Sequence, residues 1–506
     1  MATAIFNMGL RFKEVARRHP EHTALCMEGG ESVSYRALDE HSDCVAALLV
    51  NKNLGPSRPL AIFADKHMWT YASMLGALKA GVPYVVLDME SPTERLDKIL
   101  DRCKPGLIIS SEAEFHWKDT EIYHFSLLEA LHEPLAMEVI HSVSPDKPAY
   151  LMFTSGSTGF PKGVTISHGS MLNFCHWARD TFSITPQDKL SGVNPLYFDN
   201  SVFDFTASLF NSACLMPVTR GTLKQAKKLV EQLNGCTLWF SVPSMLIYLM
   251  AMKALTKESW PAMRAIVFGG EGYAKTELQK LYNMFGQQTT LWNVYGPTEC
   301  TCICSAYAIS DKDFTDMDML APLGFLAKEF DGLVLDESGK TVKDGEIGEL
   351  LLCSSQVALG YYNDAERTSV SFLVNPISPE SGQMCYRTGD LVRRDPTTGY
   401  LHFRGRKDNQ IKHMGYRIEL EEIEAALAGL AEVSQGAVVY HRKSVSVGRI
   451  VAFVTLAQEL AAQDIKNCLR SKLPSYMIPD EIMIMESLPK NANGKVDRKA
   501  LLAGLG

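Results

Sequence analysis

At 506 residues the chain is too long for one hydrophobic core, so two or more domains are expected. A hydrophobic share of 46% beside 21% charged residues is that of a globular protein and excludes disordered and fibrous classes. The formal net charge of −8 argues against a nucleic acid or an anionic membrane held by bulk charge.

The N-terminus has no basic region followed by an apolar core; Arg17 and Arg18 sit in a polar stretch instead, so no secretory signal is read. No apolar run approaches the ~18 residues of a spanning helix. The chain is therefore expected in the cytoplasm. Its twelve cysteines read as reduced thiols, mostly buried as small apolar groups. Cys300, Cys302 and Cys304 alternate, which on a strand puts all three on one face. Without a second His/Cys pair nearby, that spacing does not make a zinc site.

Met8, Phe12, Val15 and Ala16 have helical spacing, as do Leu38, Val45, Leu48 and Leu49. Short apolar runs follow at 60–63, 84–87, 107–109, 150–153, 265–268 and 291–294. Buried strands alternating with helices predict an α/β fold: a large N-terminal domain, 1–406, of layered, largely parallel sheets. The character changes at Gly405-Arg-Lys-Asp408. A helix is predicted over 421–430, strands over 436–440 and 450–456, and a helix over 464–473 closed off by Pro474 and Pro479. This reads as a separate small α+β domain, 409–506, with the charged, glycine-bearing stretch before it as a hinge at 407–408 around Asp408.

Directly after the run 150–153 comes Thr154-Ser-Gly-Ser-Thr-Gly-Phe-Pro-Lys162-Gly163. Glycines let backbone N–H groups approach a polyphosphate, and hydroxyls and a lysine add donors and charge. It is not a Walker A loop, which needs Gly-Lys followed by Ser or Thr; here Pro161 precedes Lys162 and Gly163 follows. Ordinary P-loop ATPase or GTPase chemistry is disfavoured.

The loop resembles the phosphate-binding signature of the adenylate-forming superfamily, which contains acyl-CoA ligases, luciferases and the adenylation domains of nonribosomal peptide synthetases. Tyr295-Gly-Pro-Thr-Glu299 resembles its second signature, Tyr386-Arg-Thr-Gly-Asp390 its third and Gly405-Arg-Lys-Asp408 its hinge. Asn493-Gly-Lys495-Val-Asp-Arg498 resembles the terminal catalytic-lysine motif. The order is that of the family. The resemblance implies attack of a carboxylate on the α-phosphate of ATP with loss of pyrophosphate. Both reactants are anionic, so they must be positioned and their charge neutralised.

The resemblance also implies residue roles. Thr154, Ser155, Gly156, Ser157, Thr158, Gly159 and Lys162 would hold the β- and γ-phosphates. Glu299 would hold Mg²⁺ and Thr298 would contact the α-phosphate. Tyr295 would stack on adenine, Asn293 would bond its amine, and Gly270 would belong to the same nucleotide site. Asp390 would accept from the ribose hydroxyls, with Arg406 nearby. Lys495 would reach both the attacking carboxylate and the α-phosphate. Family members rotate the small domain between adenylation and thioester formation, and Gly415, in His413-Met-Gly-Tyr-Arg417, resembles the loop lining the thiol's tunnel in the second state.

Phe198-Asp199-Asn-Ser201 resembles the segment of amino-acid-activating members whose aspartate pairs with the substrate α-ammonium. The alternative is that Asp199 merely caps the helix beginning there. By the same alignment the side-chain pocket would be lined by Asn200, Phe203, Ser241, Val267, Gly269, Val294, Cys302 and Ile303. None is charged, so a small to medium neutral side chain is expected, with Gly269 leaving room. Discrete D-alanine–carrier protein ligases are similar in length and layout. A free-standing enzyme is expected, delivering to the phosphopantetheine thiol of a separate carrier protein, with coenzyme A the alternative thiol. An acyl- or aryl-CoA ligase and a non-catalytic nucleotide-binding regulator are the rival readings.

Overall fold

The computed structural model describes residues 5–132, 135–156, 159–443, 448–491 and 495–505. Two large sheets carry most of the chain. The first has nine strands, and six of them run parallel: Thr290–Tyr295, Ala265–Gly269, Leu238–Ser241, Lys189–Gly192, Cys214–Pro217 and Thr23–Cys26. Their runs of consecutive buried apolar residues, such as Ala265–Gly269, are what a parallel sheet covered on both faces requires. Antiparallel strands close its edges.

The second sheet has six strands. Ile122–His124, Leu107–Ser110, Leu60–Phe63, Tyr84–Val86 and Pro148–Thr154 are parallel, and Lys162–Ser167 returns antiparallel to the last. The helices Met8–Arg18, Tyr35–Asn51 and Met68–Ala80 pack together beside these sheets. The expected α/β layering with largely parallel sheets is present.

An antiparallel five-stranded sheet follows, built around the long strand Met384–Arg394. In it Cys353 lies directly opposite Cys385, both wholly buried, and the two form a disulfide. The expectation that all the thiols are reduced fails here, because cross-strand register joins cysteines that lie 32 residues apart in sequence.

Beyond it, the hairpin Gln410–His413/Tyr416–Glu419 leads into a three-stranded sheet, Val433–Arg442, Gly448–Leu456 and Glu481–Ile484, with the helices Leu420–Ala428 and Ala462–Arg470. This part has its own core, including Ile418, Ile423, Leu427, Val438, Ala452, Val454, Ile465 and Leu469. The apolar spacing of Ile465 and Leu469 is one face of the latter helix.

Candidate active site

The hairpin at 410–419 is seated over the ends of the parallel strands, and the cleft lies beneath it. A cavity of about 70 Å³ is lined by Asp199, Asn200, Phe240, Val294, Cys302 and Ile303, with Lys412 and Arg417 reaching in from the hairpin. Next to it, a cavity of about 460 Å³ is lined by Gly270, Asn293, Tyr295, Asp390, Arg406 and His413 among others. Strand ends supply Val294 and Tyr295, and the antiparallel pairing of Asp390 with Arg406 supplies the opposite wall.

Asp390 is engaged on both oxygens. Tyr295 Oη donates to Oδ2 at 2.6 Å and Arg406 Nη1 donates to Oδ1 at 2.8 Å. Burial first, and then the neighbouring Asp390 carboxylate, push the Tyr295 phenol well above its ordinary value. Lys412 Nζ lies 5.9 Å from the centre of the Tyr295 ring. Burial pulls the Lys412 ammonium below its ordinary value, partly offset by Asp390 and Asp199. Asn293 Nδ2 donates to the Pro322 carbonyl at 2.8 Å.

Asp199 starts the helix Asn200–Leu209 but makes no capping hydrogen bond, which removes the capping alternative. Its Oδ2 instead accepts from Thr298 Oγ1 at 2.6 Å. Burial raises the carboxyl above its ordinary value, against the lowering effect of the Thr298 bond and Lys412.

Glu299 is wholly buried. Arg417 Nη1 donates to its Oε2 at 2.7 Å and Tyr361 Oη donates to Oε1 at 2.9 Å, with Lys162 Nζ 3.9 Å away. Burial alone would raise this carboxyl, but Arg417 and Lys162 outweigh it and hold it at about 2. A buried carboxylate is the hard oxygen donor that Mg²⁺ takes, so Glu299 fits that ion once the guanidinium has withdrawn.

The loop from Thr154 to Lys162 joins two antiparallel strands, with those residues directly paired. Ser157 and Thr158 lie outside the described residues. The Thr154 hydroxyl is buried with no hydrogen-bond partner among the described residues, an unused polar atom in the cleft wall. Burial, with Arg417 adding to it, lowers the Lys162 ammonium.

Several expected pocket residues sit elsewhere. Phe203 and Val267 are wholly buried in a layer behind the cavity, where Phe203 packs edge-on against Phe240, Phe174 and Phe182. Ser241 accepts from Trp239 Nε1 at 2.8 Å and donates to the Val242 carbonyl at 3.0 Å, so its hydroxyl is spent within its own strand and turn. Gly269 does not open space for a substrate: a Cβ there would meet the Val294 carbonyl oxygen at 2.4 Å, so close strand packing demands the glycine.

The cysteine triplet is not a strand. Thr298–Cys300 is a short 3₁₀ turn, and Thr301 and Cys302 both have left-handed backbones, φ +59° and +74°. Ile303 N–H donates back to the Thr301 carbonyl at 3.0 Å, closing a three-residue turn centred on Cys302. Thr301 Oγ1 holds the turn to the Gln356 carbonyl at 3.0 Å. Strain of this kind persists where surrounding structure over-determines it, here at the cavity wall.

Gly415 has φ +82°, and its N–H donates to Glu271 Oε2 at 2.9 Å. Glu271 Oε1 accepts from Ser244 N–H at 2.7 Å, at the start of the helix Pro243–Ala251, so one carboxylate ties that helix to the hairpin. Asp408 is held by Arg406 Nε at 2.8 Å and accepts from Gln410 N–H at 3.2 Å. Lys495 is not brought to the others. It is exposed, its backbone closes a turn with Asn491, and it lines neither cavity, because the hairpin occupies the cleft. Phe240, Glu271, Lys412 and Arg417 enter the site without having been singled out; only Arg417 carried a sequence signal, as the last residue of the motif containing Gly415.

The chain belongs to the AMP-binding enzyme family, which matches residues 12–362, and the AMP-binding enzyme C-terminal domain matches 422–495. The D-alanine–D-alanyl carrier protein ligase of Lacticaseibacillus paracasei is 31% identical over 512 residues, covering 99% of this chain and 99% of the ligase. Bacitracin synthase 1 of Bacillus licheniformis is 33% identical over 492 residues, 97% of this chain, but the chain spans only 9% of that protein. The solved structure of IdnL1 superposes with a TM-score of 0.84 at 26% identity, covering 97% of this chain and 100% of IdnL1.

Proposed function

We propose that the protein activates a small to medium, neutral α-amino acid with ATP. A carboxylate oxygen of the acid bonds the α-phosphorus, the bond to the bridging β-phosphate oxygen breaks, and pyrophosphate leaves. The sulfur of a thiol then bonds the acyl carbon and AMP departs. The acceptor we favour is the phosphopantetheine thiol of a carrier protein. The name of the Lacticaseibacillus ligase, matched over nearly its whole length, supports that acceptor.

The carrying observation is Asp199: a carboxylate that makes no capping hydrogen bond and stands at a cavity of about 70 Å³, where Asn200, Phe240, Val294, Cys302 and Ile303 form a neutral part of the wall and Lys412 and Arg417 reach in from the hairpin. A substrate ammonium there gains a counter-charge, and the small volume supports a short side chain. Asn293, its NH₂ engaged by Pro322, offers Oδ1 to an exocyclic amine. Tyr295 offers a ring face, and Asp390 offers oxygens to ribose hydroxyls after exchange with its present donors. Thr154, Ser155, Gly156 and Lys162 are the described donors for the β- and γ-phosphates. Glu299 would hold Mg²⁺, which supplies neutralising charge at the phosphate oxygens when bound. The present arrangement, with Gly415 in the cleft and Lys495 outside, suits the thioester step; adenylation requires the 409–506 unit to turn about Asp408 and bring Lys495 in. We place this enzyme in the cytoplasm.

Amino-acid-dependent exchange of pyrophosphate into ATP, across L- and D-amino acids with aryl and fatty acids as controls, tests the reading. Exchange with an aryl or fatty acid only, or with none, refutes it.

A further inference from the structure

Three of the described donors of the glycine-bearing loop are already in use. Gly156 N–H donates to Glu422 Oε2 at 3.0 Å. Ser155 Oγ accepts from Glu419 N–H at 3.2 Å and donates to the Arg417 carbonyl at 2.8 Å. Lys162 Nζ lies 3.6 Å from Glu419 Oε1, which also accepts from Gln410 Nε2 at 2.6 Å. The other oxygen of Glu422 pairs with Arg95, a buried guanidinium on the helix Thr93–Cys103. Glu419 and Glu422 are themselves buried.

Two carboxylates, three residues apart at the junction of the hairpin and the helix Leu420–Ala428, thus face a backbone N–H, an ammonium and a guanidinium. These are the donor types that bind the oxygens of a polyphosphate. From the same hairpin Arg417 presents a positive charge to Glu299. The occupant therefore matches the cleft charge for charge: negative onto Lys162 and Arg95, positive onto Glu299.

We propose that Glu419 and Glu422 are an internal stand-in for pyrophosphate, so that seating of residues 410–428 and occupancy of the loop by β- and γ-phosphates exclude each other. This rests on the reading of the loop as a phosphate cradle. Pyrophosphate must leave before the hairpin seats, and added pyrophosphate unseats it. By linkage, whatever weakens the seat strengthens pyrophosphate binding by the same factor.

Hydrogen exchange read by mass spectrometry on the full chain tests this, with inorganic pyrophosphate alone and no ATP or amino acid. Pyrophosphate should slow exchange at the end of the strand Pro148–Thr154 through Gly156 and speed it over 415–428. Glu422→Gln, which also leaves Arg95 buried without its counter-charge, should lower the half-effect concentration about tenfold, and Glu419→Gln should lower it less. Slower exchange at the loop with 415–428 unchanged would overturn the exclusion while leaving the phosphate cradle intact. No effect at either segment would overturn both. The same unseating by sodium chloride at matched ionic strength would reduce the effect to screening and overturn the proposal. The wild-type measurement stands alone if a variant fails to fold.

Discussion

Replacing Asp199 with alanine removes a carboxylate from the 70 Å³ cavity, where the other, Asp390, is already engaged by Tyr295 and Arg406, and leaves Thr298 Oγ1 without its acceptor. Losing one partner of a buried charge pair costs about 3–5 kcal/mol. Asp199 is only half-buried, so the lower end applies: about 3 kcal/mol, or roughly 150-fold in amino-acid affinity. Thr298 is hydrogen-bonded to Asp199, but Asn293, Tyr295, Arg406 and Lys162 would hold the nucleotide through other contacts, so the KM for ATP should move less than about threefold. Pyrophosphate exchange with either substrate varied gives both constants. Asp199→Asn, which keeps the volume, should behave like alanine, because the charge is what matters.

The acid limb of the pH profile carries a second signature. Burial raises the Asp199 carboxyl above its ordinary value of 3.8, so protonation begins at a higher pH than for an exposed aspartate. As pH falls through that raised value the counter-charge disappears and amino-acid affinity drops. Asp199→Asn should lack this limb. An amino-acid KM within threefold of wild type in Asp199→Ala, or an ATP KM that rises as far, would refute the ammonium assignment.

Lys495→Ala should slow pyrophosphate exchange by ~10²–10³, the scale for one lost electrostatic contact, while sparing thiol transfer from a preformed adenylate, since the side chain is exposed when the hairpin is seated. Gly415→Leu places a Cβ 2.7 Å from Val242 Cγ1 on a left-handed backbone, so transfer should fall about tenfold or more with exchange intact; equal loss of both would refute the division. In denaturant without reductant, ten of the twelve cysteines should titrate as thiols; twelve would refute the Cys353–Cys385 bond.

The apolar runs at 60–63 and 265–268 were legible because a strand buried on both faces shows as continuous hydrophobicity, whatever it pairs with. The tight connection from Thr154 to Lys162 was legible because glycine and proline punctuate the chain wherever strands turn. Contacts between distant segments were not. Nothing near Glu422 announces Arg95, more than 300 residues earlier, nor does Gly415 announce Glu271. Phe240 reads as any core aromatic until the cavity is seen beside it. The alternation at 300–304 misled because spacing cannot report a left-handed backbone, and two adjacent non-glycine residues there turn what resembles a strand into a tight bend.

On the proposed reading, that bend limits how acid preference can change. The turn at 301–303 is closed by its own main-chain hydrogen bond and tied to the Gln356 carbonyl through the Thr301 hydroxyl, so a bulkier side chain at the buried, left-handed Cys302 would strain both backbone and packing. In that reading Cys302 faces the acid, so the part of the wall nearest the substrate is the part least open to exchange.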